Sequence, residues 1–110
     1  ELGRIAARPW VILSAGAGKA EFRNVLSHAF NAGASGFLAG RAIWLDAFGA
    51  YPDWAQIQTD LEGGAVDYLK EISNLASTMA QDWSKHPCFG DTGAKFTPAD
   101  AGFRHQYASI

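Results

Sequence analysis

Cysteine, methionine and proline are scarce in this chain of 110 residues, at one, one and four copies. With Cys88 alone no internal disulfide can form, which favours a reducing compartment such as the cytoplasm. Long apolar runs are missing as well. None approaches the ~20 residues needed to cross a bilayer, so no membrane partner is expected. Excess charge of either sign is also absent: a formal net charge of -2 gives no electrostatic reason to expect nucleic acid or an anionic lipid surface. The chain opens without a signal-peptide pattern and without an initiator methionine. What it does contain is 48% apolar and 18% charged residues, which excludes disorder and suits one domain with a modest core. Its first eight residues, Glu1-Leu2-Gly3-Arg4-Ile5-Ala6-Ala7-Arg8, read as a helix end running into a loop. That opening points to the C-terminal portion of something longer.

Two apolar runs organise the rest. Pro9-Trp10-Val11-Ile12-Leu13-Ser14-Ala15-Gly16 and Gly36-Phe37-Leu38-Ala39-Gly40-Arg41-Ala42-Ile43-Trp44 each end abruptly in small residues. Such runs, bounded by turn signals, read as parallel strands buried on both faces, the first over residues 10–13. Between them, residues 19–34 predict a helix. Phe22, Val25, Leu26, Ala29 and Phe30 fall at i, i+3, i+4, i+7 and i+8, and Gly33 is placed for a left-handed cap. The whole is a β-α-β unit.

Beyond it, residues 42–48 predict a short helical piece broken by Gly49 and Pro52. Asp53 is placed to cap a second helix running through Trp54 and Ile57 to Leu61, which Gly63-Gly64 should interrupt. Ala65, Tyr68, Leu69, Ile72, Leu75, Ala76, Met79 and Trp83 then form one apolar stripe. That predicts a helix of about five turns, ended by Pro87. Residues 88–110 read mostly as loop. The division expected is therefore a βαβα portion over 1–86 and a tail over 87–110.

Parallel α/β proteins bind ligands at the carboxyl ends of their strands. Ser14 and Gly16 sit at that end of the first strand, Gly40 and Arg41 at that end of the second. A hydroxyl, bare glycine amides and a planar, permanently charged fork suit a phosphate or similar anion. The alternative for Arg41 is a salt bridge to a helix carboxylate such as Asp46; Ser14 on the adjacent strand tips the balance towards a ligand. Gly16-Ala17-Gly18-Lys19 superficially resembles a nucleotide phosphate loop. The full motif fails, because Leu13 stands where it needs a glycine and Ala20 where it needs a hydroxyl. Lys19 then reads as a solvated first-turn lysine. His28 reads as a packed or half-exposed surface residue. His86, Cys88 and His105 do not have metal-ligand spacing. Trp10, Trp44, Trp54 and Trp83 read as core or helix-packing residues, some of them available to a subunit interface. No metal or cofactor is called for.

The two strand motifs resemble the class I tagatose-1,6-bisphosphate aldolase family, which includes the sulfofructosephosphate aldolases; the run from Gly36 to Trp44 leans towards the latter. The resemblance is strongest over residues 9–48, looser to about Trp83, and absent in the tail. It implies an α/β fold, the last two βα units plus extra helices of a (β/α)8 TIM barrel. It also implies cleavage of a phosphorylated ketose through a lysine Schiff base, giving dihydroxyacetone phosphate and an aldehyde. Ser14, Gly16, Gly40 and Arg41 would hold the phosphate of that sugar. The Schiff-base lysine and the acid/base glutamate would lie upstream of Glu1, so none of these residues is assigned a catalytic role. The partners implied are the phosphorylated sugar and either a homo-oligomer or the remainder of the barrel. Another phosphate-binding barrel enzyme, such as an isomerase or synthase, and an inactive segment stabilised by oligomerisation are the alternatives.

Overall fold

Three residues on each of two strands form the sheet: β1 (Val11–Leu13) and β2 (Gly36–Leu38) pair in parallel, with Val11 opposite Gly36, Ile12 opposite Phe37 and Leu13 opposite Leu38. The computed structural model describes residues 2–95, 100–102 and 105. A short helix, α1 (Leu2–Ile5), precedes β1, and α2 (Lys19–Asn31) connects the strands. After β2 come α3 (Arg41–Trp44), a 3-10 segment (Leu45–Ala50), α4 (Trp54–Asp60), a π-helical turn (Leu61–Ala65) and α5 (Val66–Met79). No helix is long and apolar enough to cross a membrane among the described residues.

The β-α-β unit follows from local pattern. The apolar stripe of α2 buries Phe22, Leu26, Ala29 and Phe30, and Gly33 (φ +97°) turns the chain out of the helix. The Ala34 N–H reaches back to the Ala29 carbonyl at 2.9 Å, a Schellman-type close that satisfies an orphan helix carbonyl. Asp53 caps α4 by accepting from the Gln56 N–H at 3.0 Å.

The core lies between α2, α5 and one face of the sheet. Phe22, Leu26 and Phe30 meet Tyr68 and Ile72, with Ile12 and Phe37 packed against them. Phe22 and Phe37 meet edge to face, centroids 6.2 Å apart. Tyr68 bolts the helices together: its hydroxyl donates to the Lys19 carbonyl at 2.9 Å, and Arg23 stands over its ring. Burial pushes the Tyr68 hydroxyl above its ordinary pKa. Arg23 also forks onto Glu71, Nη2 donating to Oε2 at 2.7 Å, and this hydrogen bond holds the guanidinium above its usual range.

Four expectations need correction. The strands are not buried on both faces, because the helices cover only the Ile12 and Phe37 side; Leu13 is 58% exposed and Leu38 62%. Gly63-Gly64 does not interrupt the second helix. A π turn absorbs both glycines, so α4 runs through it into α5. The long helix stops at Met79, short of Pro87, because Ala80 turns to extended geometry (ψ 144°), and Trp83 opens a separate 3-10 turn (Trp83–Lys85). Three of the four tryptophans are exposed: Trp44, Trp54 and Trp83. Each is held by an aromatic neighbour, in the edge-to-face pairs Trp44–Phe48, Tyr51–Trp54 and Trp83–Phe89. Of the tail read as loop, residues 96–99, 103–104 and 106–110 lie outside the described residues.

Candidate anion-binding site

The carboxyl end of β1 closes in a tight turn. The Ala17 N–H donates to the Ser14 carbonyl at 2.9 Å, and both residues between have positive φ, Ala15 at +49° and Gly16 at +83°. That is the φ pattern of a primed type I turn. Glycine adopts it freely, whereas Ala15 pays a steric penalty of about 1 kcal/mol for a left-handed backbone. Strain of this kind persists where the surroundings hold it, and Gly16 stands exposed at the turn. Ser14 itself is 9% exposed, and its N–H donates to the Leu38 carbonyl at 3.1 Å. This bond ties the ends of the two strands together one residue beyond the sheet.

Gly40 follows β2 with an unusual backbone (φ -130°, ψ -86°), and its carbonyl accepts from the Ile43 N–H at 2.8 Å. The turn launches α3 and carries the Arg41 side chain across to the neighbouring strand end. There the guanidinium lies against Gly16: a Cβ placed on that glycine would stand 3.1 Å from Arg41 Nη2 and 3.5 Å from Cζ. Gly16 and Arg41 are thus brought together, and Gly40 lies beside them in the chain.

The carboxylate expected as the alternative partner of Arg41 pairs with another residue. Asp46 pairs with Lys19 Nζ at 3.6 Å, and Lys19 also sits 5.6 Å from the Tyr68 ring centroid. Lys19 is therefore a half-buried tether between α2 and the 3-10 segment, not a solvated lysine. Arg41 forms no ion pair among the described residues. It presents an exposed, uncompensated fork over a bare backbone, which is the chemistry that tetrahedral oxyanions need.

Elsewhere, His28 is exposed and donates from Nδ1 to the Asn24 carbonyl at 2.8 Å. The Cys88 N–H donates to His86 Nδ1 at 3.1 Å. Among the described residues no group of three His, Cys, Asp or Glu side chains is placed to hold a metal ion. Sequence reasoning missed the strained Ala15 and the Lys19–Asp46 pair. Neither leaves a local signal, since one is a backbone dihedral and the other joins residues far apart in the chain.

Residues 3–46 match the model of a protein family described as DeoC/LacD family aldolase. The matched stretch runs from α1 to the start of the 3-10 segment and so contains Ser14, Gly16, Gly40 and Arg41. The match supports an aldolase superfamily and, with it, carbon–carbon lyase chemistry in general. That family is a TIM-barrel family, and a two-stranded parallel sheet joined by a helix is compatible with part of such a barrel.

Proposed function

We propose that these residues supply the phosphate-binding end of a Schiff-base aldolase acting on a phosphorylated ketose of the tagatose 1,6-bisphosphate or sulfofructose 1-phosphate type. The observation that carries the reading is the Arg41 guanidinium, with no ion pair among the described residues, lying on Gly16 at the carboxyl ends of adjacent parallel strands. Barrel enzymes commonly bind phosphate in such loops, with active sites on the same face.

In this chemistry a lysine amine adds to the ketose carbonyl and loses water to form an iminium. The iminium accepts the electron pair of the breaking carbon–carbon bond, the aldehyde departs, and the remaining enamine is protonated and hydrolysed to dihydroxyacetone phosphate. The role given to Ser14, Gly16, Gly40 and Arg41 is to hold the phosphate so that the carbonyl meets the amine in a reactive geometry. The amine is assigned to none of them. Lys19, which follows the first turn, is engaged by Asp46 and Tyr68.

Borohydride trapping with dihydroxyacetone phosphate, read by intact-protein mass, tests the reading. A reduced adduct on a complete aldolase chain carrying these residues supports it. Its absence on such a chain sinks the Schiff-base mechanism, and an adduct on the 110-residue chain itself would place the nucleophile within it.

A further inference from the structure

Arg41 is not the only donor that α3 sends to the strand ends. Trp44 lies three residues on, one helical turn along, and residues at that spacing share a face. Its indole nitrogen comes over the other glycine: a Cβ on Gly40 would lie 3.6 Å from Trp44 Nε1. The two glycines that end the neighbouring strands are therefore each bordered by a nitrogen donor from one helix face, Gly16 by the guanidinium and Gly40 by the indole.

The indole N–H makes no hydrogen bond to the described residues, and Trp44 is 39% exposed. At this exposure the indole N–H, with no acceptor among the described residues, is open to an arriving oxygen. The ring is held in place. Phe48 packs edge to face against it, centroids 5.4 Å apart at an interplanar angle of 74°. A donor fixed in this way loses little freedom when an acceptor arrives.

We infer that Trp44 is a binding residue of the anion site, its indole N–H donating to an oxygen of the substrate's phosphate that the Arg41 guanidinium also holds. The inference rests on the phosphate reading above and deepens it. An oxygen held over Gly40 would lie within reach of Trp44 Nε1, so the site would grip a tetrahedral oxyanion from two strand ends at once. A carboxylate, with only two coplanar oxygens, matches such a bracket less well.

The test is a titration of the ¹⁵N-labelled 110-residue chain with inorganic phosphate, with sodium chloride at matched ionic strength as control. The Trp44 indole resonance is assigned through bonds, and those of Trp10, Trp54 and Trp83 are internal references. The expected result is that the Trp44 indole proton shifts in step with the Gly16 and Gly40 amides, while the other three indoles stay still. Trp44→Phe, which keeps the ring and removes the N–H, should then weaken phosphate binding roughly fivefold or more. If the glycine amides move but the Trp44 indole does not, the inference is overturned and the phosphate site stands without it. If phosphate moves none of these resonances, or chloride moves them equally, the phosphate reading falls and takes the inference with it.

Discussion

Arg41 covers Gly16 closely enough that even a methyl group there would press on it, with Nη2 3.1 Å from the position of the missing Cβ. The two residues come from the ends of different strands, and their approach depends on two turns. One is the positive-φ turn of Ala15 and Gly16. The other is the Gly40 turn, which starts α3 and directs its first side chain sideways. With Asp46 paired to Lys19, the Arg41 guanidinium makes no ion pair among the described residues.

Removing that charge should therefore damage substrate use more than folding. In a complete aldolase containing these residues, Arg41→Ala is expected to lower kcat/KM for the phosphorylated substrate by roughly 10- to 100-fold, the worth of a charge-assisted hydrogen bond. Arg41→Lys keeps the charge but loses the planar fork and should fall between. Steady-state kinetics checks this, and an unchanged kcat/KM for Arg41→Ala would remove the residue from the site.

Gly16→Ala combines two insults. The backbone at φ +83° costs an L-residue about 1–2 kcal/mol, and the new methyl meets the guanidinium. Urea denaturation should show that loss of stability. Phosphate affinity should fall too, because Arg41 must move aside. A variant as stable as the parent would show that the turn does not hold Gly16 in the left-handed region.

Much of this arrangement was readable from the chain alone, but unevenly. The β-α-β unit was legible because apolar runs and the i, i+3, i+4 stripe from Phe22 to Phe30 are local patterns. Asp53 as a cap was legible for the same reason. Gly63-Gly64 misled because glycine marks a weak helix but does not break one that packing on both sides sustains; a π turn takes up the pair. The exposure of Leu13 and Leu38 was not legible, since burial depends on what else covers a strand. At the candidate site, the residue types picked out the strand ends, where the structure brings Arg41 against Gly16. Whether Asp46 would choose Arg41 or Lys19 was a question of three-dimensional distance that spacing does not answer.

Tyr68 offers a test of how the helices are joined. Tyr68→Phe removes only the hydroxyl bond to the Lys19 carbonyl and should cost about 1 kcal/mol. Phe22→Ala, at a fully buried position facing Phe37, should cost about 3–5 kcal/mol. Chemical denaturation of the two variants would rank them. A Tyr68→Phe loss as large as that of Phe22→Ala would mean that the hydroxyl, not the ring, anchors α5 to α2.

The 3-10 turn after α5 should respond to acid. Asp82 Oδ1 accepts from the Ser84 hydroxyl at 2.6 Å and from the Ser84 N–H at 2.9 Å, and these bonds hold its carboxyl below the ordinary carboxylate range, with Lys85 adding a smaller pull. The Ser84 carbonyl in turn accepts from the Ala94 N–H at 2.7 Å, so this cap organises the loop that follows. Because the folded-state pKa is depressed, the stabilisation is present above the unfolded value of about 4 and is lost as pH falls through the folded one. Following the Ser84 and Ala94 amide resonances from pH 6 to pH 2 should show both moving with one midpoint below about 4, and Asp82→Asn should abolish that transition. A midpoint at or above the ordinary aspartate value would mean that the Ser84 bonds do not favour the charged carboxylate, and the loop from Ser84 to Ala94 would then owe its shape to something other than this cap.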